Sequence, residues 1–135
     1  THYGVYKRAN EGNARVWFDR EGLSSVGLRP WAVYGVGRDQ GLTSDPTWAM
    51  RAVARGEPYT IRLTGWMDMQ YVADVADIFL SCLRAELQGA HVFNLAGERV
   101  LLSDVVALLE ELQPGAAALV RCEGPSVPVA SHLSD

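Results

Sequence analysis

Ser25-Val-Gly-Leu-Arg-Pro-Trp-Ala-Val-Tyr34 is a short, mostly apolar run, with the glycine-rich stretch Gly35-Val-Gly-Arg-Asp-Gln-Gly-Leu-Thr43 directly behind it. A strand that is apolar without alternation belongs in a parallel sheet with helices over both faces. The run therefore predicts a buried parallel strand over 25–34 and a loop over 35–43. The pattern on either side agrees. Residues 3–20 read as a helix, with Val5, Ala9, Gly12 and Val16 on one face and Arg8, Arg15 and Asp19 elsewhere. Gly22 closes it. Beyond the loop, Ser44 or Asp45 is placed to cap a helix running from Pro46 to Gly56. Residues 59–63 alternate like a strand, and 70–72 form a short extended piece. Asp74 then opens a helix carrying Val75, Ile78, Phe79 and Cys82. Residues 91–96 read as a strand and 100–102 as extended. Ser103 caps a helix over 104–112 that Pro114-Gly115 stops, and 118–122 form a last strand. The tail from Gly124, rich in Pro and Ser, is expected to be loosely held. Helices alternating with strands predict an α/β fold with a mostly parallel sheet.

Composition narrows the function classes. The 135 residues fit one domain, and at 48% hydrophobic they can build a core. The net charge is −4 and no Lys/Arg block occurs, which argues against nucleic acid and against an anionic membrane surface. No apolar run is long enough for a membrane span, and the polar, aromatic start lacks the pattern of a signal peptide. Cys82 and Cys122 lie far apart with no C-x-x-C, and Cys82 reads as an inert buried thiol. His2, His91 and His132 have no metal-ligand spacing, so no metal is expected.

The glycine loop fails as a dinucleotide fingerprint. Gly35-Val-Gly37-Arg-Asp-Gln40 has Gln where the third glycine is needed, and no helix pattern begins directly after it. It reads instead as an ordinary loop leaving a strand end.

Chemistry is concentrated in Tyr3-Gly-Val-Tyr-Lys7. Residues at i and i+4 share a helix face, so Tyr3 and Lys7 point the same way and Glu11 continues the row. The bland alternative is a solvated face with a Lys7–Glu11 pair. The chemistry that uses a tyrosine beside a lysine is proton transfer coupled to hydride transfer. A phenol with pKa near ~10 is a poor base at neutral pH, and lowering it by ~2–3 units requires about 3–4 kcal/mol. One ammonium roughly 5 Å away, at an effective dielectric of about 20, supplies ~3 kcal/mol. Tyr6 is an internal control, because its i+4 partner is the uncharged Asn10.

Four stretches now fall in order: Tyr3-Gly-Val-Tyr-Lys7-Arg-Ala-Asn-Glu11, Leu28-Arg-Pro30-Trp-Ala-Val-Tyr-Gly35-Val-Gly37-Arg38, Asp68-Met-Gln-Tyr71-Val-Ala-Asp74-Val-Ala76 and Val92-Phe-Asn94-Leu-Ala-Gly97. Together they resemble the second half of an extended short-chain dehydrogenase/reductase, of the NAD(P)-dependent sugar epimerase/dehydratase family, over about residues 2–113. The resemblance implies part of a Rossmann-like, doubly wound parallel sheet plus a small substrate-binding part, with the N-terminal half of the fold absent. Residues 1–34 would be the C-terminal part of the dinucleotide-binding domain. Residues 35–123 would be mainly substrate-binding with interleaved Rossmann elements, and 124–135 a tail. Tyr3 would be the general acid/base. Lys7 would lower its pKa and hydrogen-bond the nicotinamide ribose of NAD or NADP. The backbone of Pro30, Trp31, Ala32 and Val33 would line the nicotinamide end. Arg38, Thr43 and Trp66 would face a small-molecule substrate, and Asp74 would cap its helix. The resemblance also implies a cytoplasmic enzyme that dimerises through the tyrosine-bearing helix.

The departures are informative. The family's G-x-x-G-x-x-G phosphate loop and its catalytic Ser/Thr are not in this sequence, so the chain is expected to begin in mid-protein. Nucleotide-sugar members place Arg where Met67 stands and often Asn where Ala32 stands. Losing both removes groups suited to a diphosphate and points to a free sugar, a sugar acid or another small hydroxy or carbonyl compound. A non-catalytic relative, using the fold for cofactor sensing or protein binding, is the alternative; retention of Tyr3 and Lys7 argues against it. The chain by itself is expected to bind neither NAD nor NADP, and to leave the apolar side chains of 26–34 incompletely covered.

Overall fold

A computed structural model describes residues 1–127. In chain order the elements are α1 (His2–Glu21), β1 (Ser25–Arg29), β2 (Ala32–Tyr34), a 3-10 turn (Leu42–Ser44), α2 (Asp45–Arg55), β3 (Tyr59–Ile61), β4 (Trp66–Tyr71), α3 (Val72–Arg84), β5 (Ala90–Asn94), β6 (Glu98–Leu101), α4 (Leu102–Leu112), α5 (Ala116–Leu119) and β7 (Val120–Cys122). They form two compact units. Of the described residues, the first holds Thr1–Arg29 and Ala76–Leu95; the second holds Pro30–Val75 and residues 96–127. The α/β class holds, with three of the strand pairings parallel and β4–β6 antiparallel.

In the first unit, Thr1 caps α1: the Gly4 N–H donates to Thr1 Oγ1 at 3.3 Å. Gly22 ends the helix in the left-handed region at φ 68°, its N–H returning to the Phe18 carbonyl. Beneath the helix, β1 runs parallel to β5, from Ser25 opposite Ala90 to Arg29 opposite Asn94. The face of α1 that is partly covered is Glu11, Ala14 and Phe18. The expected apolar face lies on the other side, and Val5 is 66% exposed.

The single strand expected over 25–34 is two strands. Pro30 has no N–H to give a ladder, and the chain changes partners there. β2 pairs with β4, Ala32 opposite Met69 and Tyr34 opposite Tyr71. Of residues 26–34 only Ala32 is buried, so this run is incompletely covered, as expected.

The second unit is built on β4, much longer than the extended piece expected at 70–72. Its pleat sends Met67 and Met69 into a core with Ala49 and Val53 of α2, Ile61 of β3, Leu102, Val105 and Leu109 of α4, and Val120 of β7. Burial of each larger side chain contributes roughly 1.5–3 kcal/mol. The opposite face carries Trp66, Asp68 and Gln70. Asp45 ties α2 to the segment after β3. It is 0% exposed and accepts from the Tyr59 hydroxyl at 3.1 Å, from the Arg62 main-chain N–H at 2.7 Å and from Arg62 Nη2 at 2.6 Å.

Several local expectations are corrected. Neither Ser44 nor Asp45 caps α2 through its side chain: Ser44 Oγ donates to the Gly41 carbonyl at 2.7 Å, and Asp45 is committed to Arg62. Val72 already begins α3, so Asp74 sits in its first turn and is not its cap. Ser103 lies inside α4, whose cap position is Leu101. Residues 118–122 are the end of α5 followed by β7. Cys82 is half-buried, not buried. Of the tail expected from Gly124, residues 128–135, with His132 among them, lie outside the described residues.

Candidate active site

The first unit presents Tyr3 and Lys7 one helical turn apart on α1. Lys7 Nζ stands 5.2 Å from the centroid of the Tyr3 ring. Tyr3 is 71% exposed, so the attraction across this gap is strengthened by whatever displaces water from it. Lys7 has no carboxylate partner among the described residues. The pairing with Glu11 that would neutralise it does not form, because Glu11 is taken by Arg29: Arg29 Nε donates to Glu11 Oε1 at 2.7 Å, and Nη2 to Oε2 at 2.7 Å. Arg8 adds a longer contact to Glu11 at 3.5 Å. The Arg29 hydrogen bonds hold the Glu11 carboxyl below the usual carboxylate range, against partial desolvation. A bidentate pair across elements thus fixes α1 to β1 and leaves the lysine to the tyrosine.

The second unit holds the other expected site residues. Pro30 is exposed, Trp31 and Val33 are half-buried, and Ala32 is buried. Trp31 donates its main-chain N–H to Gln70 Oε1 at 3.2 Å. Gln70 Nε2 donates to Asp68 Oδ1 at 3.3 Å. Asp68 in turn accepts the Gly97 N–H on Oδ1 at 3.0 Å and on Oδ2 at 3.1 Å. Asp68 and Gln70 are both buried. Alternation within Asp68-Met-Gln70 places the two polar side chains on one face of a strand, which was the available signal; their partners at Trp31 and Gly97 are too distant in sequence to be read.

Arg38 and Thr43 are brought together, Arg38 Nη2 donating to Thr43 Oγ1 at 3.2 Å. Arg38 Nε is buried without a hydrogen-bond partner. The loop beside it and α2 enclose an open cavity of about 480 Å³, lined among others by Val36, Arg38, Trp48, Met50 and Arg51. Trp66 contacts neither Arg38 nor Thr43 in any hydrogen bond; its ring lies under the Arg99 guanidinium at 4.9 Å. Met67 is 0% exposed, so position 67 offers its side chain to the core and not to a ligand. The loop after β2 contains Gly37 and Gly41 at positive φ and runs through the 3-10 turn directly into α2. The helix start it reaches carries the buried Asp45 carboxylate in its first turn, which disfavours a pyrophosphate there. Tyr3 and Lys7 lie in the first unit and Pro30–Val33 in the second. Among the described residues no cluster of three or more His, Cys, Asp or Glu could hold a metal ion. Among the described residues no helix is long and apolar enough to cross a membrane.

Comparison with known proteins assigns this arrangement a lineage. The sequence pattern of the NAD dependent epimerase/dehydratase family matches residues 1–96. No curated protein matches the chain. Among solved structures, a partial consensus L-threonine 3-dehydrogenase is 25% identical with a TM-score of 0.79, over 90% of this chain and 42% of that one. MoeE5, solved with UDP-glucose and NAD, is 27% identical with a TM-score of 0.70, over 96% and 46%. The UDP-glucose 4-epimerase of Thermotoga maritima, solved with UDP-glucose, is 28% identical with a TM-score of 0.74, over 91% and 40%. The chain thus spans less than half the length of these structures.

Proposed function

The chain belongs to the NAD dependent epimerase/dehydratase family, and from that premise we propose that it is the tyrosine-bearing part of an NAD(P)-dependent oxidoreductase or epimerase acting on a sugar-like or small hydroxy or carbonyl compound. The observation that carries this is the Tyr3–Lys7 pair, with Lys7 Nζ 5.2 Å from the tyrosine ring and Glu11 diverted to Arg29. The nicotinamide cofactor, when bound, takes up or returns the hydride. Tyr3 Oη holds and moves the substrate's hydroxyl proton. The Lys7 ammonium stands beside the Tyr3 ring and can donate to a ribose hydroxyl. The main chain of Pro30–Val33 orients the nicotinamide, and Arg38, Thr43 and Trp66 belong to the substrate side. The exposed face of α1 supports a homodimer formed through that helix, and we place the enzyme in the cytoplasm.

Two relatives solved with UDP-glucose are 27% and 28% identical to this chain over the parts that match. The core position of Met67 and the small, buried Ala32 favour a substrate without the nucleoside diphosphate. The test is turnover by the full-length polypeptide against a panel of free sugars, sugar acids, hydroxy amino acids and nucleotide sugars, read from the reduced cofactor. Tyr3→Phe is expected to cut kcat by about 10²–10⁴-fold on the best substrate. Lys7→Met is expected to weaken cofactor binding as well as turnover, and Tyr6→Phe to change turnover little. A Tyr3→Phe enzyme with most of its activity removes Tyr3 as the acid/base.

A further inference from the structure

The chain of hydrogen bonds behind Trp31 has a consequence for recognition. Pro30 has no main-chain N–H. The Trp31 N–H is already spent on Gln70 Oε1 at 3.2 Å. Gln70 cannot easily turn away, because its Nε2 is held by Asp68 Oδ1 at 3.3 Å, and Asp68 is held by the Gly97 N–H at 3.0 and 3.1 Å. Gln70 is buried, and a buried amide is costly to leave unpaired. Gly97 permits the approach: a Cβ there would overlap Gln70 Cγ, the Met69 carbonyl and Asp68 Oδ1. The register fixes the reach as well, since Gln70 lies opposite Val33 in the β2–β4 ladder, two residues past Trp31.

We propose that Gln70 is a positioning residue that fixes the Trp31 main chain and makes Pro30–Trp31 a main-chain edge with acceptors and no donors. This rests on the reading that Pro30–Val33 line the nicotinamide. A carboxamide can meet such an edge through its NH₂; a carboxylate in its place has only acceptors to offer. Gln70 therefore sets selection for the amide form of the nicotinamide ring over its acid form.

Two measurements on the full-length protein test this. The first is amide hydrogen exchange. The Trp31 amide should exchange slowly in the wild type and at least about tenfold faster in Gln70→Met, a near-isostere without an acceptor, while Ala32 and Val33 change less than about twofold. Gln70→Glu keeps an acceptor oxygen and should preserve the slow exchange at Trp31. A Trp31 amide that is unprotected in the wild type, or equally protected in Gln70→Met, overturns the positioning role, and the wild-type result decides even if a variant fails to fold. The second is titration with NAD and NADP and with their deamido forms, in which the carboxamide is a carboxylate. The deamido forms should bind at least about tenfold more weakly, about 1.4 kcal/mol, and the gap should narrow in Gln70→Met. Equal affinity overturns the selection. If no dinucleotide binds, the cofactor reading falls and the selection with it, while the exchange data still judge Gln70.

Discussion

Asp45 is a carboxylate with no exposure to water, and its charge is kept by its partners. Burial pushes its pKa up, but the Arg62 guanidinium, the Arg62 main-chain N–H and the Tyr59 hydroxyl push it down further, and the carboxyl ends below its ordinary value. Tyr59 moves the opposite way, raised by its burial and by the adjacent carboxylate. A depressed folded-state pKa means the stabilisation is complete above the unfolded value near ~4 and is lost as pH falls through the folded value. Asp45→Asn is therefore expected to lower unfolding free energy at neutral pH by about 2–3 kcal/mol in denaturant titration. It should also flatten the acid limb below about pH 4 relative to the wild type. An acid limb of unchanged steepness would place the titrating groups elsewhere. Gly97→Ala is a second residue-scale case. The overlap it creates with the Asp68–Gln70 pair should cost about 1–3 kcal/mol and accelerate exchange at the Trp31 amide. Neither dependence was legible in the sequence. Asp45 offered itself as a helix cap because capping is a local property, and its real partner lies seventeen positions on. Gly97 could be read as part of Asn94-Leu-Ala-Gly97, but not why it must be glycine. Tyr3 and Lys7 were legible because a helix alone brings i and i+4 together.

At the scale of elements, the sequence announces which segments are helical more clearly than what they face. The spacing of Val5, Ala9, Gly12 and Val16 located α1 correctly, yet its covered side is Glu11, Ala14 and Phe18. An apolar stripe shows that a surface is suited to packing, but not against which polypeptide. The Pro30 break is similar. Composition marked 25–34 as strand, while the partner change from β5 to β4 depends on segments some forty to sixty positions away. Glu110 explains the missed α5: its carboxylate accepts the N–H groups of Gly115 at 3.0 Å and Ala117 at 2.8 Å, capturing a helix start that propensity does not signal. Because α1 buries no residue, its attachment relies on the Glu11–Arg29 pair more than exposed ion pairs usually allow. Glu11→Gln should therefore raise hydrogen exchange of the α1 amides by about tenfold and leave the β2–β4 amides unchanged. The depressed Glu11 pKa gives the same effect in the wild type, appearing only as pH falls below the ordinary glutamate range. Uniform exchange across both units in Glu11→Gln would assign the pair no local role.

For the molecule as a whole, the surface left exposed is the informative quantity. On the first unit, α1 exposes Val5, Tyr6, Val16 and Trp17, and the C-terminal part of α3 exposes Ile78, Phe79, Leu80 and Leu83, the last at 82%. Beneath them, among the described residues, is a sheet of two strands, β1 and β5, and a two-stranded sheet is of marginal stability by itself. Apolar patches of this kind on a chain in water mark surfaces meant for other polypeptide. The solved relatives extend to more than twice the length this chain covers. The cofactor argument points the same way. The pyrophosphate of a dinucleotide needs a glycine-rich turn at the head of a helix, and the loop 35–41 reaches α2 only through a 3-10 turn, at a helix start that carries the buried Asp45 carboxylate. Most of a dinucleotide's binding energy is therefore out of this chain's reach. The 135-residue chain alone is expected to bind neither NAD nor NADP in fluorescence titration up to about millimolar concentration. It is also expected to bind an apolar dye such as ANS, or to associate as its concentration rises. Micromolar cofactor binding by a chain that stays monomeric and dye-free would show that these residues form a complete cofactor domain and that the exposed faces of α1 and α3 need no partner.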